Sequence, residues 1–99
     1  MKKIMVLVRY IVKDGKREAF LKQIIDEGIL KASLAEDGNE KYDYYFPADS
    51  EDALCLCEIW RDAEALKAHG SMPHYLRLGE LKAEYVSSVS LSKYEIEAM

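Results

Sequence analysis

Apolar and polar positions alternate from Ile4 to Val12, with Ile4, Val6, Val8, Tyr10 and Val12 on one side and Met5, Leu7, Arg9 and Ile11 on the other. A period of two is that of a β-strand. Both sides are largely apolar, which predicts a central strand covered on both faces. Arg9 is the exception; if buried it needs a partner, and it would be a substrate anchor or half of an interface salt bridge, the second being the expectation. Asp14-Gly15 is a turn signal, and after it the spacing becomes helical. Phe20, Leu21, Ile24, Ile25, Ile29 and Ala32 form one apolar stripe with charged and amide side chains opposite. The stripe predicts a helix from Lys16 to near Ala35, carrying Gly28 inside it at about 1 kcal/mol relative to Ala.

The next strand is expected over Glu40–Ala48, with Tyr42, Tyr44 and Phe46 on one face, Asp43 and Tyr45 on the other, and Pro47 marking its end or an edge. A polar connection, Asp49-Ser50-Glu51-Asp52, is short enough to turn a hairpin into a strand at Ala53–Trp60. There Leu54, Leu56, Glu58 and Trp60 share one face, and Cys55, Cys57 and Ile59 the other. Asp62 is a good N-cap for the short helix AEALKAH, whose Ala65, Leu66 and His69 lie on the side that must face the sheet. Gly70 ends that helix, and Ser71-Met72-Pro73 opens another with Tyr75, Leu78, Leu81 and Tyr85 along one side. A last strand falls within Val86–Ile96, with Val89, Leu91 and Tyr94 as its apolar positions. The order βαββαβ, with its second helix split, predicts an α+β ferredoxin-like fold: an antiparallel sheet with helices on one face. Nothing in the pattern covers the face carrying Cys55, Cys57 and Ile59, so a homodimer is expected.

Composition narrows the classes of function. Ninety-nine residues suit one domain spanning 1–99, and 49% hydrophobic with 32% charged residues is ordinary for a globular protein. A net charge of −4 without a basic stripe argues against nucleic-acid binding. The N-terminal MKKIMVLVRYIV has two lysines and an apolar run, but Arg9 interrupts it and it lacks a small-residue cleavage site. No apolar run is long enough to cross a membrane as a helix. Cys55 and Cys57 lie about 6.5–7 Å apart along one strand face, a poor separation for a disulfide. With no further ligands at metal spacing they are expected to be reduced, packed thiols, in keeping with a cytoplasmic location.

The candidate chemistry concentrates between Leu54 and Tyr75. Glu58 ends an apolar row beside the chain's one tryptophan, Trp60, and His69 is aimed inward from the short helix. As a pair, Glu58 would orient His69 and raise its basicity so that the imidazole removes a proton from a bound phenol or enol. The same pair would equally serve as a structural hydrogen bond tying strand to helix. Trp60 is either core or the wall of an apolar pocket for a flat molecule. His74 and Tyr75 stand at a helix entrance, where unpaired amides favour an oxyanion or phosphate. Tyr42 is expected in the core with its hydroxyl near the pocket.

Taken together, Gly38-Asn39-x-x-Tyr42, Glu58-x-Trp60, Ala65-Leu66-x-Ala68-His69 and Pro73-His74-Tyr75 resemble the antibiotic biosynthesis monooxygenase (ABM) family, over about Ile4 to Tyr94. The resemblance implies a dimeric α+β barrel with a small-molecule pocket in each subunit, and oxidation of quinols or polyphenols by molecular oxygen without a cofactor. It also admits isomerisation of a phosphorylated sugar or dione, since one relative with that activity shares the His-x-x-x-Pro-His-Tyr pattern found at His69–Tyr75. A non-catalytic dimeric ligand-binding module is a further alternative. A haem-degrading branch of the family uses an Asn on the first strand, where this chain has Leu7, Val8, Arg9 and Tyr10.

Overall fold

The structure, a computed structural model, describes residues 2–97 and 99. The chain runs β1 (Lys3–Val12), α1 (Arg17–Asp26), α2 (Ile29–Leu34), β2 (Asn39–Tyr45), β3 (Ala53–Trp60), α3 (Ala63–His69), α4 (Pro73–Tyr85) and β4 (Val86–Ile96). The strands form one sheet in the order β2-β3-β1-β4, every neighbouring pair antiparallel. This is the ferredoxin-like α+β architecture that the pattern predicts.

The alternation in β1 decides where the core sits. Val6, Val8, Tyr10 and Val12 all point toward the helices and are buried. Leu54, Leu56 and Trp60 of β3 lie on the same face beside them, and Phe20, Ile24, Ile29, Leu78 and Leu81 close the core from the helix side. Phe20 is packed edge-on to Tyr10 and stacked on Tyr85, linking α1 to β1 and to the end of α4.

The long helix expected from Lys16 to Ala35 is in fact two. Gly28 adopts a φ of 76°, a left-handed conformation that glycine takes without steric cost, and the helix restarts beyond it at Ile29. The amphipathic stripe continues across the break, which is why periodicity alone reads it as one element. β2 also stops early, at Tyr45 rather than Ala48. Phe46 leaves the strand to lie under the Arg17 guanidinium, 3.9 Å from its ring centre, and Pro47 has no N–H to extend the ladder.

On the sheet's other face Met5, Leu7, Ile11, Cys57 and Ile59 are half-buried. Cys55 is buried even there, with Arg9 and Tyr45 as its cross-strand neighbours. Arg9 itself forms an ion pair with Asp49 of the same chain at 3.3 Å. The edge strand β4 turns Val89 and Leu91 toward the helix side, beyond the reach of the helices, and leaves them 47% and 55% exposed.

Gly38 fixes the approach of the α2–β2 turn to α3. Its φ is 88°, its carbonyl accepts from Arg61 N at 2.7 Å, and a Cβ placed on it would lie 2.6 Å from Ala65 Cβ. Gly28 has the same backbone handedness but open space around it. Gly28→Ala is therefore expected to cost about 1 kcal/mol. Gly38→Ala should cost more, about 2–4 kcal/mol, because overpacking adds to the conformational term. Urea unfolding of the two variants measures the difference; equal losses would mean that the Gly38–Ala65 contact relaxes freely.

Candidate functional site

Two local structures bring the site together. Asp62 caps α3 by accepting from Ala65 N at 2.8 Å, which sets the helix so that its final residue, His69, points back over Trp60. The chain then turns through Gly70–Met72, with Ser71 N bonded to Ala68 O and Met72 N to His69 O, and Pro73 opens α4 so that His74 falls in its first turn. From the other direction, the turn after α2 is closed by Glu36 N to Ser33 O and Asn39 N to Glu36 O. It delivers the Glu36 side chain into the angle between the two histidines.

One oxygen, Glu36 Oε2, is the shared partner. His69 Nδ1 lies 2.5 Å from it and His74 Nε2 lies 2.7 Å from it. A carboxylate is an acceptor, so each of these nitrogens carries the proton. That leaves His69 Nε2 as a bare lone pair, and Tyr42 Oη donates to it over a long 3.3 Å. Around the His69 ring stand Trp60 at 4.7 Å between centroids, Tyr75 at 5.0 Å and Tyr42 at 5.5 Å. Burial pushes the His69 pKa down, and the nearby His74 adds to this; the Glu36 carboxylate opposes both without overcoming them. Burial raises the Tyr42 hydroxyl far above its ordinary range, so it stays a donor.

Glu58, paired with His69 in the sequence reading, has a different partner. Its Oε1 accepts from the indole N–H of Trp60 at 2.9 Å. The correction has a simple cause: Glu58 and Trp60 are two apart on one strand face, whereas His69 is claimed by a carboxylate on a turn that strand periodicity cannot place. Glu58 is buried, and desolvation raises its pKa; the Trp60 hydrogen bond opposes that, and the charge on Glu36 adds to it.

His69 and Glu58 border a cleft of about 550 Å³ between the sheet and the α3–α4 joint. Ile4, Val6, Leu66 and Leu91 give it apolar walls, and Tyr75 and Lys93 add polar groups. In the β1 register Val6 lies between Glu58 and Lys93, which places an acid and a base on one row of the sheet. Three of the expected residues do not reach this cleft. Trp60 and Tyr42 are buried behind His69, and His74 sits on the far side of Glu36. Glu36 was missed by the sequence reading; it stands in a polar turn, Glu36-Asp37-Gly38-Asn39, where a carboxylate is ordinarily solvated.

The class defined by this fold and site is a ferredoxin-like α+β protein whose buried carboxylate–imidazole pair backs onto an apolar cleft. Comparison with known proteins makes it more specific. The sequence pattern of the family described as Antibiotic biosynthesis monooxygenase matches residues 3–81, and the chain belongs to that family. Putative monooxygenase YcnE of Bacillus subtilis (strain 168) is 36% identical over 73 residues, which make up 73% of this chain and 75% of that protein. The solved structure of Rv0793 from Mycobacterium tuberculosis is similar with a TM-score of 0.84 and 28% identity, over 98% of this chain and 97% of that one. A putative antibiotic biosynthesis monooxygenase from Nitrosomonas europaea aligns with a TM-score of 0.81 and 25% identity, over 92% and 95% of the two chains.

The state of Glu58 yields a pH-dependent expectation. Its folded pKa is raised, so the folded chain takes up this proton more readily than the unfolded chain. The cost of burying the carboxylate is absent below the ordinary value near 4.5 and grows as pH rises through the raised value. Glu58→Gln retains an oxygen acceptor for Trp60 and should raise the thermal midpoint at pH 8, with the gain vanishing by about pH 4. A gain independent of pH, or a loss at pH 8, would show that the buried charge is compensated.

Proposed function

We propose that the protein is a cofactor-independent monooxygenase acting on a quinol or polyphenolic small molecule. The observation that carries this reading is His69. Its Nδ1–H is held by Glu36, so Nε2 is a lone pair whose one contact is the long 3.3 Å approach of Tyr42 behind the ring, while the ring itself lines the apolar cleft. A carboxylate that fixes the tautomer and stabilises the imidazolium is the arrangement of a general base. When the ring turns Nε2 from Tyr42 toward the cleft, a substrate hydroxyl gives up its proton there. The lowered His69 pKa keeps the ring neutral and ready to accept at neutral pH. Glu58 supports proton handling from the opposite wall, and its raised pKa brings it closer to working pH.

The deprotonated, electron-rich ring then reduces oxygen itself. One electron passes to O₂, and the resulting radical and superoxide join in a new C–O bond. The proton taken up by His69 returns to complete the hydroperoxide, and loss of water with the hydrogen of that carbon leaves a carbonyl. The substrate carbon is oxidised and O₂ reduced, with one oxygen atom retained and the other released as water. In this account Tyr75 shapes the cleft entrance, while Trp60, Tyr42 and His74 position the groups that act.

The isomerase reading has less support. It assigns His74 to an oxyanion or phosphate at the entrance of α4, and His74 Nε2 already donates to a carboxylate. A non-catalytic ligand-binding module would use the same open cleft, and loss of turnover without loss of binding in His69→Ala separates the two readings. We also propose a homodimer, in which a partner's sheet covers the half-buried Met5, Leu7, Cys57 and Ile59. The free thiols of Cys55 and Cys57 suit a cytoplasmic setting.

Oxygen uptake by the metal-free protein with a panel of quinols and polyphenols tests the activity. Turnover should fall by at least about a hundredfold in His69→Ala. It should fall about tenfold or more in Glu36→Gln, with the acid limb of the pH profile displaced. Activity unchanged in His69→Ala would remove the base from the account. Sedimentation equilibrium should give twice the 11.4 kDa chain mass; a stable monomer at micromolar concentration would overturn the dimer.

A further inference from the structure

We infer that Glu36, His69 and His74 form a binding site for a divalent transition-metal ion of the zinc class, with Glu36 Oε2, His69 Nδ1 and His74 Nε2 as its ligands. The three donor atoms lie within 4.8 Å of one another. They come from three different places in the fold: the α2–β2 turn, the last residue of α3 and the first turn of α4. Their side chains are 5%, 3% and 16% exposed, so a metal ion held there would be largely shielded from water.

The donor set is selective. Two imidazoles and one carboxylate suit zinc, cobalt(II) or iron(II), whereas magnesium and calcium favour all-oxygen sites. Bonds of about 2.0–2.2 Å place neighbouring ligand atoms roughly 3.3 Å apart. The present N···O separations of 2.5 and 2.7 Å would therefore open by roughly 0.6–0.8 Å through rotation of the Glu36 side chain, and the imidazole nitrogens, within 4.8 Å of each other, would draw to the same spacing by turning of the rings. A ligating histidine needs a partner for its other nitrogen, and Tyr42 Oη already stands at His69 Nε2. Among the described residues, Glu36 pairs with the two histidines and with no lysine or arginine. The charge of this buried carboxylate thus lacks a permanent cation. Three protein ligands leave a fourth position for water or a ligand.

This inference does not depend on the oxygenase reading, and it predicts how the two interact. A metal on Nδ1 moves the imidazole proton to Nε2, where it is donated to Tyr42 Oη. The lone pair that serves as a base is then gone, so the loaded site and the basic site are mutually exclusive states of the same three residues.

The test uses the full chain after EDTA treatment and dialysis. Cobalt(II) titration should produce the visible bands of a low-coordinate ion, saturating at one ion per chain and displaced by zinc(II). Zinc(II) should also raise the thermal midpoint. Glu36→Gln and His74→Asn, each checked for folding by circular dichroism, should weaken uptake more than about tenfold. The double variant Cys55→Ser/Cys57→Ser should retain the bands, since its thiols lie on the other face of the sheet. Absence of saturable uptake by the unaltered chain would overturn the site. So would uptake that survives both Glu36→Gln and His74→Asn, or that disappears with the two cysteines. Where oxygen uptake is detected, zinc(II) should suppress it and EDTA restore it; an unaffected rate would overturn the exclusivity, and with no oxygen uptake the cobalt titration still decides the metal site.

Discussion

A single carboxylate oxygen organises this molecule's chemistry. Removing an ionised carboxylate from water is expensive unless its hydrogen-bonding capacity is met, and Glu36 Oε2 meets it with two imidazole N–H groups. Those donors arrive from opposite sides of the α3–α4 joint, so the interaction ties that joint to the turn entering β2. Gly38 makes the approach possible, because only a residue without a Cβ lets the turn lie against Ala65. The orientation of His69, its tautomer and the availability of Nε2 all follow from that one contact.

The two buried glutamates of the site show how environment separates chemically identical groups. Glu36 faces two N–H donors and sits behind the imidazole, where it orients the ring. Glu58 faces one indole N–H and the cleft, and burial raises its affinity for a proton. Trp60 serves both sides, with its ring against His69 and its N–H on Glu58. One side chain therefore holds His69 and Glu58 at a set spacing, a positional role for a residue that never meets the cleft.

The sheet is unevenly covered, and this gives the cleft its shape. Helices lie over β1, β2 and β3, while β4 extends past them with Val89 and Leu91 bare. The cleft opens where helix cover ends, bordered by Leu91 and Lys93 on one side and the α3–α4 joint on the other. Apolar walls with a few converging polar groups are what a flat organic molecule requires of a site.

Much of this architecture is written into local sequence. The period of two in Ile4–Val12 and Ala53–Trp60, the Asp62 cap and the Pro73 helix start each reflect interactions between residues close in the chain, so the element order could be read directly. His69 was also readable as inward-facing, because helical spacing sets it beside Ala65 and Leu66. The break at Gly28 was not, since an amphipathic stripe runs on through a left-handed residue. Nor was the partnership of Glu36 with His69 and His74, which joins residues 33 and 38 positions apart through a turn of ordinary surface composition. Periodicity records which face of an element is buried. Which charged group on a distant turn meets that face depends on how the elements pack, and here only the tertiary structure decided that Glu36, and not Glu58, holds the histidine.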